Sequence, residues 1–356
     1  MSKKVAVVLF NLGGPDSRDA IKPFLFNFFM DKNIIGAPKP IRFLLAKWIA
    51  FKRSKNEAGD SYAELGNRSP LLENSTAQCE ALQEYLSSSG VGEFKTFICM
   101  RYWNPMAKEI VEDVQKWAPD RVVLLPLYPQ FSTATTKSSF EDWDQACQDA
   151  GLDVPSAKIC CYPMETGFIE ASAIHVKQVY GQAKAETGKN PRVLFSAHGL
   201  PEKTIKAGDP YQWQCQQSAE KIAQATKIEN LDWQICYQSR VGPLKWIRPS
   251  TEEALQKAAA DKVPVVILPH AFTQEHVETL VEIEIEYREE AEKMGLTEFY
   301  RVPTVGEQPE FIKGLADMVL SRLDDTDTRP NSGSRLCPAE WGQCCMDIPN
   351  KMKEVA

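Results

Sequence analysis

Histidine is scarce in this chain: there are four in 356 residues, at positions 175, 198, 270 and 276. Any imidazole chemistry therefore rests on very few side chains. HExxH, the zinc-protease spacing, does not occur, and neither does GxSxG, the turn that presents a hydrolase serine. GxGxxG follows none of the apolar runs, so a dinucleotide site has no local support. Positive surplus is missing as well: the net charge is -7, which leaves no electrostatic footprint for nucleic acid. No run reaches the roughly 18 apolar residues of a membrane span. The N-terminal run VAVVLF has six residues and leads into NLGGPD rather than a small-residue cleavage site, so it reads as a first strand and not an export signal. The expectation is a cytoplasmic protein, with peripheral contact to the inner membrane as its only membrane option.

Short apolar runs bounded by turn residues recur at VAVVLFNLGG, FKTFICMRY, RVVLLPLYP, RVLFSAHGLP, WQICYQSRVGP and VPVVILPHAFT, with helix-like stretches between most of them. Strands alternating with helices imply right-handed βαβ units around a parallel sheet. The runs also rhyme in order: VVLFNLGGP with VLFSAHGLP, CMRYWNP with CYQSRVGP, VVLLPLYPQFST with VVILPHAFTQEH. This predicts an α/β protein of two similar Rossmann-like lobes, with the active-site cleft between them at the strand carboxyl ends. The expected divisions are 1–165, 166–325 and a linker with a cysteine-containing extension over 326–356, since TDTRPNSGS is a linker by composition.

Residues 21–55 break this pattern, crowding Phe24, Phe26, Phe28, Phe29, Met30, Ile34, Ile35 and Trp48 around a Gly-Pro turn before a basic end. Three readings stay open: a buried helical hairpin, an apolar lip over a large flat ligand, or a monotopic surface that touches a bilayer.

The chemistry concentrates in SAHGLP and in HAFTQEHVETLVEIEIEYREEAEK. Read as an α-helix, the second places Leu280, Ile283 and Tyr287 on one stripe and Glu278, Glu282 and Glu286 on another. A solvated acidic face accounts for Glu289 and Glu290. Glu278 is different, because it follows His276 just after a strand end. With His198 ending another strand, an imidazole and a carboxylate would face one cleft, able to bind a divalent metal or move protons.

SAHGLP, GDPY, YQSRVGPLKWIRP and AFTQEHVETLVEIEIEY, with NLGGP, MRYWNP and LYPQFSTATTKSS, resemble the ferrochelatases in family order over about residues 4–320. The resemblance implies a class II chelatase-like fold and a lyase that inserts ferrous iron into protoporphyrin IX, the terminal step of haem biosynthesis. It carries His198 and Glu278 over as the catalytic pair, with His276 and Glu282 beside them on the substrate iron. It also implies that Arg101, Tyr102, Phe29, Met30 and Trp246 contact the porphyrin. AELGNRSPL departs from the glycine-rich form of relatives, so its contacts stay open. A porphyrin carrier would need the apolar cleft but not the paired base and acid. A cobalt or nickel chelatase is the nearest rival within the enzyme class, and NLGGP favours the protoporphyrin branch over the coproporphyrin one.

Ten cysteines in a chain with no export signal argue for reduced core thiols and metal ligands rather than a disulfide framework. Cys337, Cys344 and Cys345 resemble the C-terminal cysteines of ferrochelatases that carry a [2Fe-2S] cluster. The expected fourth thiolate is Cys161 of the ICCYP turn, with Cys160 as the other choice.

Overall fold

A computed structural model of the chain describes residues 3–240, 242 and 244–347. Val241 and Pro243 of the YQSRVGPLKWIRP motif and the final stretch 348–356 lie outside the described residues.

Two compact units are present. The first comprises residues up to Cys161 together with Leu315–Leu336 and the segment from Cys345. Its sheet contains β1 (Lys4–Asn11), β2 (Glu93–Met100), β3 (Arg121–Pro126), β4 (Ser156–Ile159) and β9 (Thr328–Arg329), in the order β2-β1-β3-β4-β9. All pairings are parallel. VAVVLF and RVVLLP are buried along their whole length, the pattern of strands covered on both faces by helices. The stretch expected as a linker carries β9, which extends this sheet at β4.

Residues Tyr162–Gly314 and Cys337–Cys344 make the second unit. Its four parallel strands are β5 (Arg192–His198), β6 (Trp233–Gln238), β7 (Val265–Pro269) and β8 (Phe299–Arg301), ordered β6-β5-β7-β8. Apart from β9, this repeats the first sheet strand for strand. In such doubly wound sheets the connections leave the first strand in opposite directions, opening a crevice at its carboxyl end. In the second unit the switch falls between β5 and β7, where His198 and the segment after Pro269 emerge.

The helix after β6, Thr251–Asp261, starts with a reciprocal cap, Ser250 accepting from Glu253 N–H while the Glu253 carboxylate accepts from Ser250 N–H. Helix Thr166–Thr187 ends at Gly188, whose positive φ of 68° a side chain would resist.

In the first unit, residues 21–55 form two helices, Arg18–Phe29 and Lys39–Lys55. The second is not buried along its apolar side: Ile41, Leu44, Trp48 and Phe51 are 53%, 68%, 61% and 48% exposed. The buried-hairpin reading fails for this helix, because its small residues Ala46 and Ala50, and not its large ones, face inward.

Candidate functional site

β5 delivers His198 at the rim of its sheet, in register with Gln238, the last residue of β6. The turn that follows needs glycine. A Cβ at Gly199 would lie 2.7 Å from the Gln238 carbonyl oxygen, which accepts the Gly199 N–H at 2.9 Å. The close approach fixes the direction in which His198 leaves the strand. Trp246 stands beside the same turn, bridged to Pro201 and within 3.4 Å of that Cβ position.

The acidic segment differs from the α-helix expected. Residues Glu278–Glu286 form a π-helix, closed by Tyr287 N–H donating to the Glu282 carbonyl five residues back, and only then does α-helix Tyr287–Lys293 begin. The wider turn replaces the expected stripe: Thr279, Val281 and Ile283 are buried, whereas Leu280 is half-buried and Glu286 exposed. Glu278 and Glu282 turn inward, toward the strand ends.

Glu278 Oε2 lies 2.8 Å from His198 Nδ1. The imidazole is 38% and the carboxylate 28% exposed, so the pair meets solvent without floating in it. Glu282 sits deeper. It accepts from Ser239 N–H (2.8 Å), the Ser239 hydroxyl (2.6 Å), Gln238 Nε2 (3.2 Å) and the Tyr287 hydroxyl (3.2 Å). Gln238 is oriented from behind, its Oε1 accepting from the buried Ser196 hydroxyl at 2.9 Å, with Thr251 Oγ1 2.8 Å beyond. Burial, and then the Glu278 charge, push the Glu282 carboxyl up to about 7. Four donors are therefore aimed at a carboxyl group that burial keeps near the point of holding a proton.

His276 does a different job. Its Nδ1 accepts from Glu278 N–H (3.1 Å) and its own N–H donates to Thr279 Oγ1 (2.9 Å), capping the π-helix. Burial lowers its pKa, and the edge-on Phe272 ring lies at 4.7 Å.

In the first unit, Arg101 and Tyr102 follow β2. Tyr102 is fully buried, its hydroxyl donating to Asp31 Oδ2 at 2.7 Å. Ser138 also donates to Asp31. Arg101 donates to Ser138 Oγ (2.7 Å), pairs with Asp31 (3.3 Å) and Asp142 (3.6 Å), and stacks 4.8 Å above the Tyr102 ring. Phe28 meets that ring edge-on at 5.0 Å, and Phe29 and Met30 are half-buried on the same helix end.

The His198–Glu278 pair has the donors to move a proton or hold a divalent cation, and comparison with known proteins decides the family. The Ferrochelatase family model matches residues 4–323. A ferrochelatase of Wolbachia sp. subsp. Drosophila simulans (strain wRi) is 51% identical over 318 residues, 89% of this chain and 99% of that protein. The chain belongs to the ferrochelatase family. It carries out the haem-forming reaction of that family. A ferrochelatase of Caulobacter vibrioides (strain NA1000 / CB15N) is 48% identical over 349 residues, covering 97% of this chain and 98% of the other. SirB from Bacillus subtilis, solved with Fe3+, shares the fold at a TM-score of 0.50 and 13% identity, covering 90% of this chain and 96% of that one.

The expected cluster in this ferrochelatase chain is overturned. Among the described residues the one group of three or more candidate ligand atoms is Cys160, Cys161 and Cys345, whose sulfurs lie within 4.8 Å of one another. Cys160 and Cys345 are joined as a disulfide. That leaves one thiol where a [2Fe-2S] centre needs four thiolates. Cys337 and Cys344 belong to the second unit, where the Cys337 sulfur accepts from Gln214 Nε2 at 3.1 Å. Cys337, Cys344, Cys345 and Cys161 therefore do not form a four-thiolate set, and the expectation of no disulfide fails at Cys160 and Cys345. Tail residue Trp341 packs against the cluster around Ala197, Tyr211 and Tyr237, so hydrophobic burial places this segment. Cys79, Cys99, Cys147, Cys215 and Cys236 are buried thiols, as expected for core cysteines.

Sequence reasoning missed Gln238, Ser239, Tyr287 and Ser196. YQS follows an apolar run in the same way that SAH does, and that rhyme was the available signal. Tyr287 could not be found, because an α-helical reading points it away from Glu282.

Proposed function

We propose that His198 is the base that removes pyrrole protons from protoporphyrin IX, that Glu278 and Glu282 receive ferrous iron and relay protons, and that the product is protohaem. The observation that carries this is the 2.8 Å bond between His198 Nδ1 and Glu278. An ionised carboxylate only accepts, so in this reading Nδ1 holds the proton and Nε2 carries the lone pair. Glu278 then stabilises the imidazolium that forms when a pyrrole proton arrives. Ferrous iron, as substrate, finds oxygen donors on Glu278 and Glu282 next to that nitrogen. His276 enters only through Nε2, since Nδ1 is engaged by the helix backbone.

Arg101, Phe29, Met30 and Trp246 supply the porphyrin contacts in this reading, cationic for a carboxylate and apolar for the ring face, with Tyr102 holding Asp31 behind Arg101. The functional division at residues 165 and 166 belongs to the same proposal.

The helix Lys39–Lys55 is proposed as the contact with the cytoplasmic face of an anionic bilayer. Ile41, Leu44, Leu45 and Trp48 lie open, and Lys52, Arg53 and Lys55 follow in the last turn. Among the described residues no helix is long and apolar enough to cross a membrane.

The test is insertion by purified protein. Faster turnover of protoporphyrin IX with ferrous iron than of coproporphyrin, or than with cobalt or nickel, supports the reading, and the reverse ranking overturns the substrate assignment. Sedimentation with phosphatidylglycerol vesicles, lost in Trp48→Glu, tests the membrane face.

A further inference from the structure

Arg301, the last residue of β8, reaches the acidic segment at two carboxylates other than Glu278 and Glu282. Its Nη1 donates to Glu275 Oε1 at 2.8 Å and its Nε to Glu284 Oε2 at 2.9 Å. Its side chain is 16% exposed. Glu275 is gripped further by Thr304 N–H (3.0 Å) and by the Thr279 hydroxyl (2.5 Å), and Glu284 by Arg288 Nε (3.1 Å). Arg288 Nη1 in turn donates to the Phe299 carbonyl of β8 at 2.7 Å. The edge strand thus holds the helix at two points.

The spacing of those points carries the argument. Thr279, tied to Glu275, and Glu284 are five residues apart. So are Glu282 and Tyr287, which meet on the inward side. At 3.6 residues per turn, five residues advance about 140° beyond one full turn, which would put Glu282 and Tyr287 on different faces and turn Thr279 away from Glu284. The wider i→i+5 turn takes more residues per turn, so residues five apart lie closer to one face. One register satisfies the outer clamp and the inner site together.

We propose that Arg301 is a positioning residue for iron insertion: by bridging Glu275 and Glu284 it locks residues 278–286 in the i→i+5 register that turns Glu278 and Glu282 toward His198. This rests on the functional reading of those carboxylates. The planar guanidinium suits the task, because one rigid fork reaches two carboxylates at fixed separation, whereas an ammonium on a flexible stem does not.

The test compares Arg301→Gln, Arg301→Lys and the milder Glu284→Gln with wild type and the exposed control Glu289→Gln, using protoporphyrin IX and ferrous iron. Arg301→Gln is expected to lower kcat about tenfold or more with the porphyrin KM within about twofold, and Arg301→Lys to recover less than half of it. With only four histidines, 15N-histidine NMR gives a readout that needs no substrate. The His198 and His276 signals should shift in Arg301→Gln while His175 and His270 stay, which a general loss of stability would not produce. If Arg301→Gln does not fold, Glu284→Gln must show the same paired shift and a smaller kcat loss. Unchanged His198 and His276 signals with wild-type kcat overturn the lock. Wild-type turnover in Glu278→Gln and Glu282→Gln would instead overturn the functional reading beneath it.

Discussion

The two units repeat one strand order, yet they treat charge at their strand ends in opposite ways. After β2 in the first unit, the buried Asp31 carboxylate is matched by Arg101 and by the Tyr102 and Ser138 hydroxyls. After β5 and β7 in the second, Glu278 and Glu282 face a single imidazole and neutral donors. Burial with Asp31 alongside drives the Tyr102 hydroxyl well above its usual range, so it stays a fixed donor. Burial with Glu278 alongside lifts Glu282 to about 7, where it can give or take a proton under ordinary conditions. A matched charge cluster is neutralised in place, whereas the unmatched one keeps a carboxyl near the point of holding a proton. Rossmann-like scaffolds leave that choice to the residues just past the strands.

The sharpest way to break this contrast is to remove the base. His198→Ala should fold normally, because a partly exposed imidazole at a strand end contributes little packing, while iron insertion falls roughly a hundredfold or more. Insertion rate and thermal unfolding measured on one preparation check it, and wild-type turnover would end the assignment. Next in size, Glu278→Gln should lose far more activity than Glu289→Gln, since Gln keeps the shape and removes the charge beside His198. Equal losses would mean that the acidic helix acts as a whole.

In the first unit the damage should fall on stability instead. Asp31→Asn leaves Arg101 without its most buried counter-charge and should cost about 3 kcal/mol in denaturant unfolding, with a smaller effect on kcat than His198→Ala. A variant as stable as wild type would show that the Arg101 cluster is not a structural clamp.

The smallest effect concerns pH. Glu282 has a folded-state pKa above its unfolded value of 4.5, so its protonated form favours the fold. Stability from this group is complete below about 4.5 and is lost as pH rises through about 7. His276, whose pKa burial lowers, has the opposite slope, gaining stability as pH rises through the unfolded histidine range. Glu282→Gln should therefore flatten the fall between about pH 5 and 8 seen by chemical denaturation and leave the acid limb alone. An unchanged profile would remove Glu282 as the titrating group.

How much could be read beforehand follows from the range of each force. Buried strands and their turns are local: VAVVLF, RVLFSAH and VVILP announce parallel strands by composition, and SAHGLP announces a polar side chain held at a strand end before a Gly-Pro turn. Sequence by itself thus determined the two-sheet α/β fold, the place of His198 and Glu278 at strand ends, and the family. Tertiary structure decided the rest. It set the helix register at 278–286, where Tyr287 bonds Glu282 five residues back and Arg301, from another strand, bridges Glu275 and Glu284. It also decided the cysteines. Proximity in a tail does not make a ligand set, and packing sends Cys345 to Cys160 while Cys337 joins Gln214 in the other unit. Both outcomes depend on partners far away in sequence, which local pattern cannot supply.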